Sequence, residues 1–79
     1  MEPTQFVALF AEQFDDTPAS EFSINTEFRS LEEWSSLTAL GVIAMVDEEY
    51  DVELSGDDIR NASTIEDVFN LVKSRKEDA

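Results

Sequence analysis

Apolar residues recur at spacings of three and four in three separate segments of this chain, and this period most constrains the fold. Such spacing places the apolar side chains on one face of an α-helix. No segment has a period-two alternation long enough for a β-strand, and the sequence contains no internal repeat. The sequence therefore predicts an all-α fold.

The first predicted helix spans about residues 3–14 and is followed by a long loop. Pro3 suits a first helical turn, and phenylalanines follow it at every fourth residue up to Phe14. Residues 15–34 contain a proline, several Ser and Thr residues and isolated apolar residues without a sustained period. The apolar residues expected to anchor this loop on the core are Phe22, Ile24, Phe28 and Leu31. Loops of this length are uncommon in compact domains and are often functional.

The second predicted helix runs from Ser36 to Tyr50 and carries two apolar stripes. The stripe expected to face the core consists of Ala39, Val42, Ile43, Val46 and Tyr50. A second, weaker stripe on another side of the helix consists of Leu37, Leu40, Gly41 and Ala44. The second stripe is open to two interpretations, because it can pack beneath the long loop or form an exposed surface that contacts a partner protein.

Two capping signals define the remaining helices. Ser55 can cap a short helix over about residues 56–61. Ser63 and Glu66 fit a capping box that opens an amphipathic helix ending near residues 73–76. The expected architecture is a small four-helix bundle, with three main helices, one short helix and a long first loop.

The length of the chain predicts one domain over residues 1–79, because a core this small does not divide and remain stable. We expect this domain to be complete from Met1 to the charged end SRKEDA, without a flanking linker.

The composition excludes several kinds of chemistry. The absence of cysteine rules out disulfides, thiolate chemistry and cysteine-ligated metal sites, and the absence of histidine removes the most common general base near neutral pH. We therefore expect no catalytic residue, no metal site and no intrinsic enzyme activity. A calcium site is a weak alternative, because GDDIRNASTIED lacks the spacing of an EF-hand loop.

The charge of the chain also limits its partners. A formal net charge of −14 with only five Lys and Arg residues repels nucleic acid and anionic membranes and attracts basic protein surfaces. An acidic band is formed by Asp47, Glu48, Glu53, Asp57 and Asp58. It is either a solvated face or a set of charges that steers basic partners. No segment approaches membrane-spanning length and no charged leader precedes an apolar stretch, so we expect a cytoplasmic protein. We also expect a monomer.

The adjacent serines at the start of the second helix have distinct expected roles. Ser35 precedes the helix and can accept hydrogen bonds from its unpaired backbone amides. Ser36 then occupies the first helical position, with its hydroxyl beside the positive end of the helix dipole. Such a position suits a phosphate group.

At these serines the sequence resembles the phosphopantetheine-binding acyl carrier proteins. The resemblance lies in EWSSLTALGVIAMVDEEYDVELSGDDIRNASTIEDVFNLV, where Ser36 and Leu37 match the end of the family's Asp-Ser-Leu motif. It covers residues 28–72 well and the first helix more loosely. The acids before Tyr50, the short third helix and the capped fourth helix also match the family.

The resemblance implies that a phosphopantetheinyl transferase attaches 4′-phosphopantetheine to Ser36. The thiol of the arm then holds acyl or aminoacyl groups as thioesters for enzymes that load and transfer them. The cargo is left open among fatty acyl, polyketide and aminoacyl groups. Ser35 replaces the family's Asp, and this departure supports an alternative, an unmodified acyl-carrier-like domain that serves in protein interaction.

The residues after Ser36 are a second departure, because many carriers have acids there and this chain has Thr38, Ala39 and Gly41. Partner docking near the arm is therefore expected to be more apolar. Trp34 is expected to anchor the loop rather than to stack on cargo. The residues that the resemblance places along an acyl cleft, and that composition alone assigns to ordinary core, are Leu54, Ile59, Ala62 and Val68.

Overall fold

Four α-helices and two short 3₁₀ turns make up the described part of the chain. The computed structural model describes residues 2–78, so Met1 and Ala79, the two ends of the predicted single domain, lie outside the described residues. The helices are α1 (Pro3–Ala11), α2 (Ser36–Tyr50), α3 (Gly56–Asn61) and α4 (Ile65–Asp78). Within residues 2–78 there is no β-strand, and α1, α2 and α4 pack pairwise around one core. This confirms the predicted all-α bundle of three main helices and one short helix.

The first helix is shorter than the sequence predicts: it ends at Ala11 and not near Phe14. The side-chain amide of Gln13 donates to the carbonyl of Leu9, which would otherwise accept the backbone N–H of Gln13 in a continued helix. That N–H turns instead to the carbonyl of Phe10, and the Phe14 N–H donates to Ala11 in the same tighter pattern. Phe14 is nevertheless buried, so its expected place in the core is confirmed although it lies outside the helix.

Aromatic rings form much of the core and connect α1 to the long loop. Phe10 packs against Phe28 with ring centroids 5.2 Å apart, and both side chains are fully buried. Phe14 lies 4.8 Å from Phe22, and Phe28 lies 4.8 Å from Trp34. The loop is therefore held on the core by its own apolar side chains, as predicted.

The core face of α2 is rotated slightly about the helix axis relative to the predicted stripe. Val42, Val46 and Tyr50 are buried, whereas Ala39 and Ile43 are half-buried. Thr38 and Met45, which the predicted stripe leaves out, are buried as well.

The cap of α4 differs by one residue from the predicted capping box. The cap pairs Thr64 with Asp67, because the Asp67 N–H donates to Thr64 Oγ1 and the Thr64 N–H donates to Asp67 Oδ2. Ser63 and Glu66 form neither hydrogen bond of the predicted box, since the Glu66 N–H donates to the Ile24 carbonyl at 2.8 Å and the Ser63 N–H donates to Asp67 Oδ2 at 2.9 Å. The sequence fits both registers, and the contact with the long loop selects the second.

An ion pair fastens the short α3 to α4. Arg75 donates two hydrogen bonds to the Asp58 carboxylate, at 2.7 and 2.9 Å, and a third to the carbonyl of Glu53. Asp58 also completes a capping box with Ser55, as its carboxylate accepts the Ser55 N–H at 2.8 Å. The hydrogen bonds from Arg75 and from the Ser55 N–H lower the pKa of Asp58 from its usual 3.8 to about 2.

This lowered pKa predicts that Asp58 stabilises the fold above about pH 4 and that the contribution is lost as the pH falls from about 4 to about 2. Because the Arg75 side chain is 41% exposed, solvent screening limits the expected loss to about 1 kcal/mol. Urea denaturation of the wild type and Asp58→Asn at several pH values measures the difference in the free energy of unfolding. We expect that difference to shrink toward zero at about pH 2.

Asp57→Asn is the matched control, because it makes the same charge change in a pair with Arg60 in which both side chains are more than two thirds exposed. A pH-independent difference for Asp58→Asn would contradict the role assigned to the Asp58–Arg75 pair. Equal effects of the two variants would contradict it as well.

The described residues include no helix with both the length and the apolar character needed to cross a membrane.

Candidate functional site

The two serines at the start of α2 have the geometry that the sequence predicts. Ser35 is the N-cap with an extended backbone, and its Oγ accepts the backbone N–H of Thr38 at 3.3 Å. Ser36 is the first residue of the helix, and its side chain is exposed. Within residues 2–78, the backbone N–H groups of Ser36 and Leu37 have no hydrogen-bond partner. An accessible hydroxyl therefore lies beside free amides at the positive end of the helix dipole.

Thr38 holds the start of α2 in place from its buried side, a role that the sequence analysis missed. Apart from Tyr50, whose hydroxyl is also buried, it is the one buried polar side chain among the described residues. Its Oγ1 donates to the carbonyl of Glu33 at 3.0 Å and lies 3.2 Å from Ser35 Oγ. A threonine inside a helical pattern carries no sequence signal for this contact, which depends on the path of the preceding loop.

Glu33 ties the beginning of the long loop to its end, and the sequence analysis also missed it. Its carboxylate accepts backbone N–H groups from Asp15, Asp16 and Thr17 at 2.6 to 3.0 Å and the Thr17 hydroxyl at 2.7 Å. The hydrogen bond from the Thr17 side chain and those from the three backbone amides lower the pKa of Glu33. These hydrogen bonds hold the start of the loop, residues 15–17, against Glu33, which lies two residues before Ser35.

A groove of about 490 Å³ opens beside Ser36 between α2 and α3. Its apolar lining comes from Trp34, Ala39, Leu40 and Ile59, and its cationic lining comes from Arg29 and Arg60. Ser35, Ser36 and Gly56 complete the lining. The exposed hydroxyl thus adjoins a surface that is apolar with two positive charges.

The four residues assigned to either an acyl cleft or the core are all buried, with exposures of 7% or less. They are Leu54, Ile59, Ala62 and Val68. Ile59 also lines the groove beside Ser36, whereas Leu54 lines a separate groove of about 620 Å³ toward Arg75. Core packing therefore accounts for all four, and one of them also borders Ser36.

Trp34 anchors the loop and also contributes to the groove. Its ring packs edge-on against Phe28 and lies 6.2 Å from the ring of Phe14 in a stacked arrangement. The residue is half-buried, and it lines the groove beside Ser36. The predicted anchoring role is confirmed.

The second stripe of α2 does not pack beneath the long loop. Leu37 is 80% exposed and Leu40 is 61% exposed, and they are the large exposed hydrophobic residues of the described chain. Ala44 is exposed too, whereas Gly41 is half-buried, and a Cβ built on it would lie 3.0 Å from Gln13 Oε1. The exposed part of the stripe is thus Leu37, Leu40 and Ala44, which follow one another along one side of α2 at spacings of three and four residues.

The predicted acidic band is divided by internal pairing. Asp58 pairs with Arg75, and Asp57 pairs with Arg60. Asp47, Glu48 and Glu53 are exposed, with no side-chain partner among the described residues. No group of three or more metal-ligating side chains lies within the described part of the chain.

Comparison with known families identifies a family for this chain. The family model for the phosphopantetheine attachment site matches residues 4–72, which is most of the chain. The chain therefore belongs to the family of phosphopantetheine-binding carrier proteins, to which acyl carrier proteins belong. The cofactor of this family is 4′-phosphopantetheine, which is covalently attached. Comparisons with curated proteins and with solved structures gave no match.

The residues at the start of α2 fit this cofactor. Ser36 supplies an exposed hydroxyl for a phosphodiester, and the free amides of Ser36 and Leu37 can donate to its oxygens. Arg29 and Arg60 place positive charge in the adjoining groove of an otherwise acidic chain. The donor set is thus of the kind that a phosphate group requires.

Proposed function

We propose that this protein holds acyl or aminoacyl intermediates as thioesters on a 4′-phosphopantetheine arm attached to Ser36 and presents them to partner enzymes. The observation that carries the proposal is the exposed Ser36 hydroxyl at the first turn of α2, within a chain that the family model matches over residues 4–72. One core that contains all the buried apolar residues of the described chain supports a single carrier domain over residues 1–79.

Attachment requires a phosphopantetheinyl transferase as the first partner. The Ser36 Oγ forms a bond to the phosphorus of the pantetheine phosphate of coenzyme A, the bond to the adenosine 3′,5′-bisphosphate breaks, and a base of the transferase takes the hydroxyl proton. The N-cap hydrogen bond of Ser35 and the buried Thr38 hold the helix start in place for this reaction. When attached, the arm supplies the thiol on which acyl groups are carried.

The chain itself contributes positioning and recognition in this proposal. It contains neither cysteine nor histidine, so the loading and transferring enzymes supply the catalytic bases. The groove beside Ser36 offers apolar side chains to the arm or to its cargo. The proposal covers fatty acyl, polyketide and aminoacyl cargo alike.

An unmodified interaction domain is the alternative, and Ser35 is the observation that favours it. Ser35 keeps the N-cap but lacks the carboxylate that the family has at this position. Intact-mass spectrometry after incubation with coenzyme A and a broad-specificity phosphopantetheinyl transferase separates the two functions. A gain of one phosphopantetheine is expected for a carrier. No gain, repeated with the transferase of its own organism, would support the alternative.

We propose that the exposed apolar patch of Leu37, Leu40 and Ala44 contacts partner enzymes. The patch directly follows Ser36, so a partner that reaches the serine must cover it. Apolar groups buried at an interface core carry a large part of the binding energy. The acids of α2 lie at its other end, so contact close to the arm is mainly apolar.

The variant Leu40→Glu is expected to lower the kcat/KM of phosphopantetheinyl transfer about tenfold, because it places a charge in an apolar contact. The helix itself should remain folded, since Leu40 is 61% exposed. Ser74→Glu adds the same charge at an exposed position of α4 and serves as the matched control. Equal rates for wild type and Leu40→Glu, with unchanged circular dichroism, would show that the patch takes no part in recognition.

A further inference from the structure

Positive charge is distributed unevenly in this chain. It has five Lys and Arg residues, of which Lys73, Arg75 and Lys76 lie on α4 near the C-terminus. The other two, Arg29 and Arg60, come from separate parts of the chain, and both line the groove beside Ser36. The fold therefore brings all the positive side chains of residues 2–72 to one groove, and this groove adjoins the serine that we propose to be modified.

Contacts of the two arginines place them along this groove. Arg29 Nε donates to the carbonyl of Ala62 at 2.9 Å, which fixes its side chain against the segment between α3 and α4. The guanidinium of Arg60 lies over the start of α3, where a Cβ built on Gly56 would be 3.4 Å from Arg60 Nη1. Gly56 thus leaves room for the guanidinium beside the groove.

Both arginines keep hydrogen-bond donors available. Each guanidinium has five N–H donors, and Arg29 uses one of them in the described structure. Arg60 pairs with Asp57, but the two side chains are 71% and 76% exposed. Such an exposed pair contributes little to stability, so a phosphate oxygen can compete for the guanidinium. Arginine is well suited to this contact because its planar fork matches the oxygens of a phosphate group.

We propose that Arg60 and Arg29 bind the phosphodiester of the arm on Ser36 and thereby direct the arm into the groove between α2 and α3. This inference rests on the proposed function, because it requires the phosphate to be attached at Ser36. Charge complementarity selects the occupant, since the phosphodiester is an anion attached at the edge of the groove in a chain that otherwise repels anions. The rest of the arm then passes Trp34, Leu40 and Ile59, whose apolar surfaces line the same groove.

The test compares holo-proteins without cargo, so that the phosphodiester is the only added anion. The phosphorus-31 NMR resonance of the arm and the amide shifts of Gly56 and Ile59 are recorded for the wild type, Arg60→Gln and Lys73→Gln. Lys73→Gln is the matched control, because it removes the same charge from an exposed position on α4 outside the groove. We expect Arg60→Gln to move the phosphorus resonance and to reduce the amide shift changes that attachment causes, and Lys73→Gln to leave both as in the wild type.

A spin label on the arm thiol gives a second measurement, with faster motion of the arm expected in Arg60→Gln than in the wild type. Arg29→Gln should act in the same direction, and circular dichroism shows whether the loss of its contact with Ala62 has disturbed the fold. An unchanged phosphorus resonance and arm mobility in Arg60→Gln would overturn the inference, as would equal changes in Lys73→Gln. Attachment is established beforehand by the mass gain, so failure of the proposed function appears as absence of that gain and is distinct from failure of this inference.

Discussion

Replacement of Ser36 by alanine is expected to abolish the mass gain that coenzyme A and a phosphopantetheinyl transferase produce in the wild type. The reason is chemical, because alanine has no oxygen on which a phosphodiester can form. The fold should be retained, since the Ser36 side chain is exposed and the cap of α2 comes from Ser35. Intact-mass spectrometry measures the gain, and circular dichroism of the same sample verifies the helical content.

Ser35→Ala provides the matched comparison, because it removes the neighbouring hydroxyl and leaves Ser36 in place. Loss of an N-cap serine lowers the free energy of unfolding by about 1 kcal/mol, but the mass gain should persist. A gain in Ser36→Ala together with its loss in Ser35→Ala would move the attachment to Ser35. A gain in both variants would mean that neither serine carries the arm.

Phe28→Ala is expected to have the largest effect on stability, lowering the free energy of unfolding by about 3–5 kcal/mol. The side chain is fully buried, and its ring packs against Phe10 and Trp34. A chain of this length has a total stability of about 4–12 kcal/mol, so the variant should be close to unfolding at room temperature. Urea denaturation followed by far-ultraviolet circular dichroism gives the difference directly.

Leu37→Ala is the comparison for this stability prediction, since Leu37 is 80% exposed and its truncation should change the free energy of unfolding by less than about 0.5 kcal/mol. A Phe28→Ala midpoint equal to that of the wild type would contradict the assignment of Phe28 to the centre of the core. The experiment also bears on the site, because Phe28 contacts Trp34, which lines the groove beside Ser36.

The site depends on contacts that join residues far apart in the sequence. Glu33 closes the long loop through the amides of residues 15–17, and Thr38 then bonds the carbonyl of the same glutamate. Neither residue has a distinctive pattern, because an acid before a helix and a threonine inside one are both common. Their roles follow from the path that the loop takes across the core.

Sequence signals that act within a few residues were sufficient to predict a helix start correctly where no distant residue makes a competing hydrogen bond. The bounds of α2 and α3 and the capping by Ser35 and Ser55 agree with the structure, because N-cap hydrogen bonds join residues only two or three positions apart. The end of α1 and the cap of α4 were predicted wrongly. At the end of α1, the Gln13 side chain donates to the carbonyl of Leu9, which a longer helix would use. At the start of α4, the loop carbonyl of Ile24 accepts the backbone N–H of Glu66.

The four-helix bundle and the position of Ser36 at the first turn of its second helix could both be predicted from the sequence, because helix period and capping are local properties. Which charges remain free and which surfaces are open depends on how the helices pack. The tertiary structure paired Asp58 with Arg75 and left Leu37 and Leu40 exposed. It also brought Arg29 and Arg60 to one groove beside Ser36, since side chains from distant segments meet only when the helices pack.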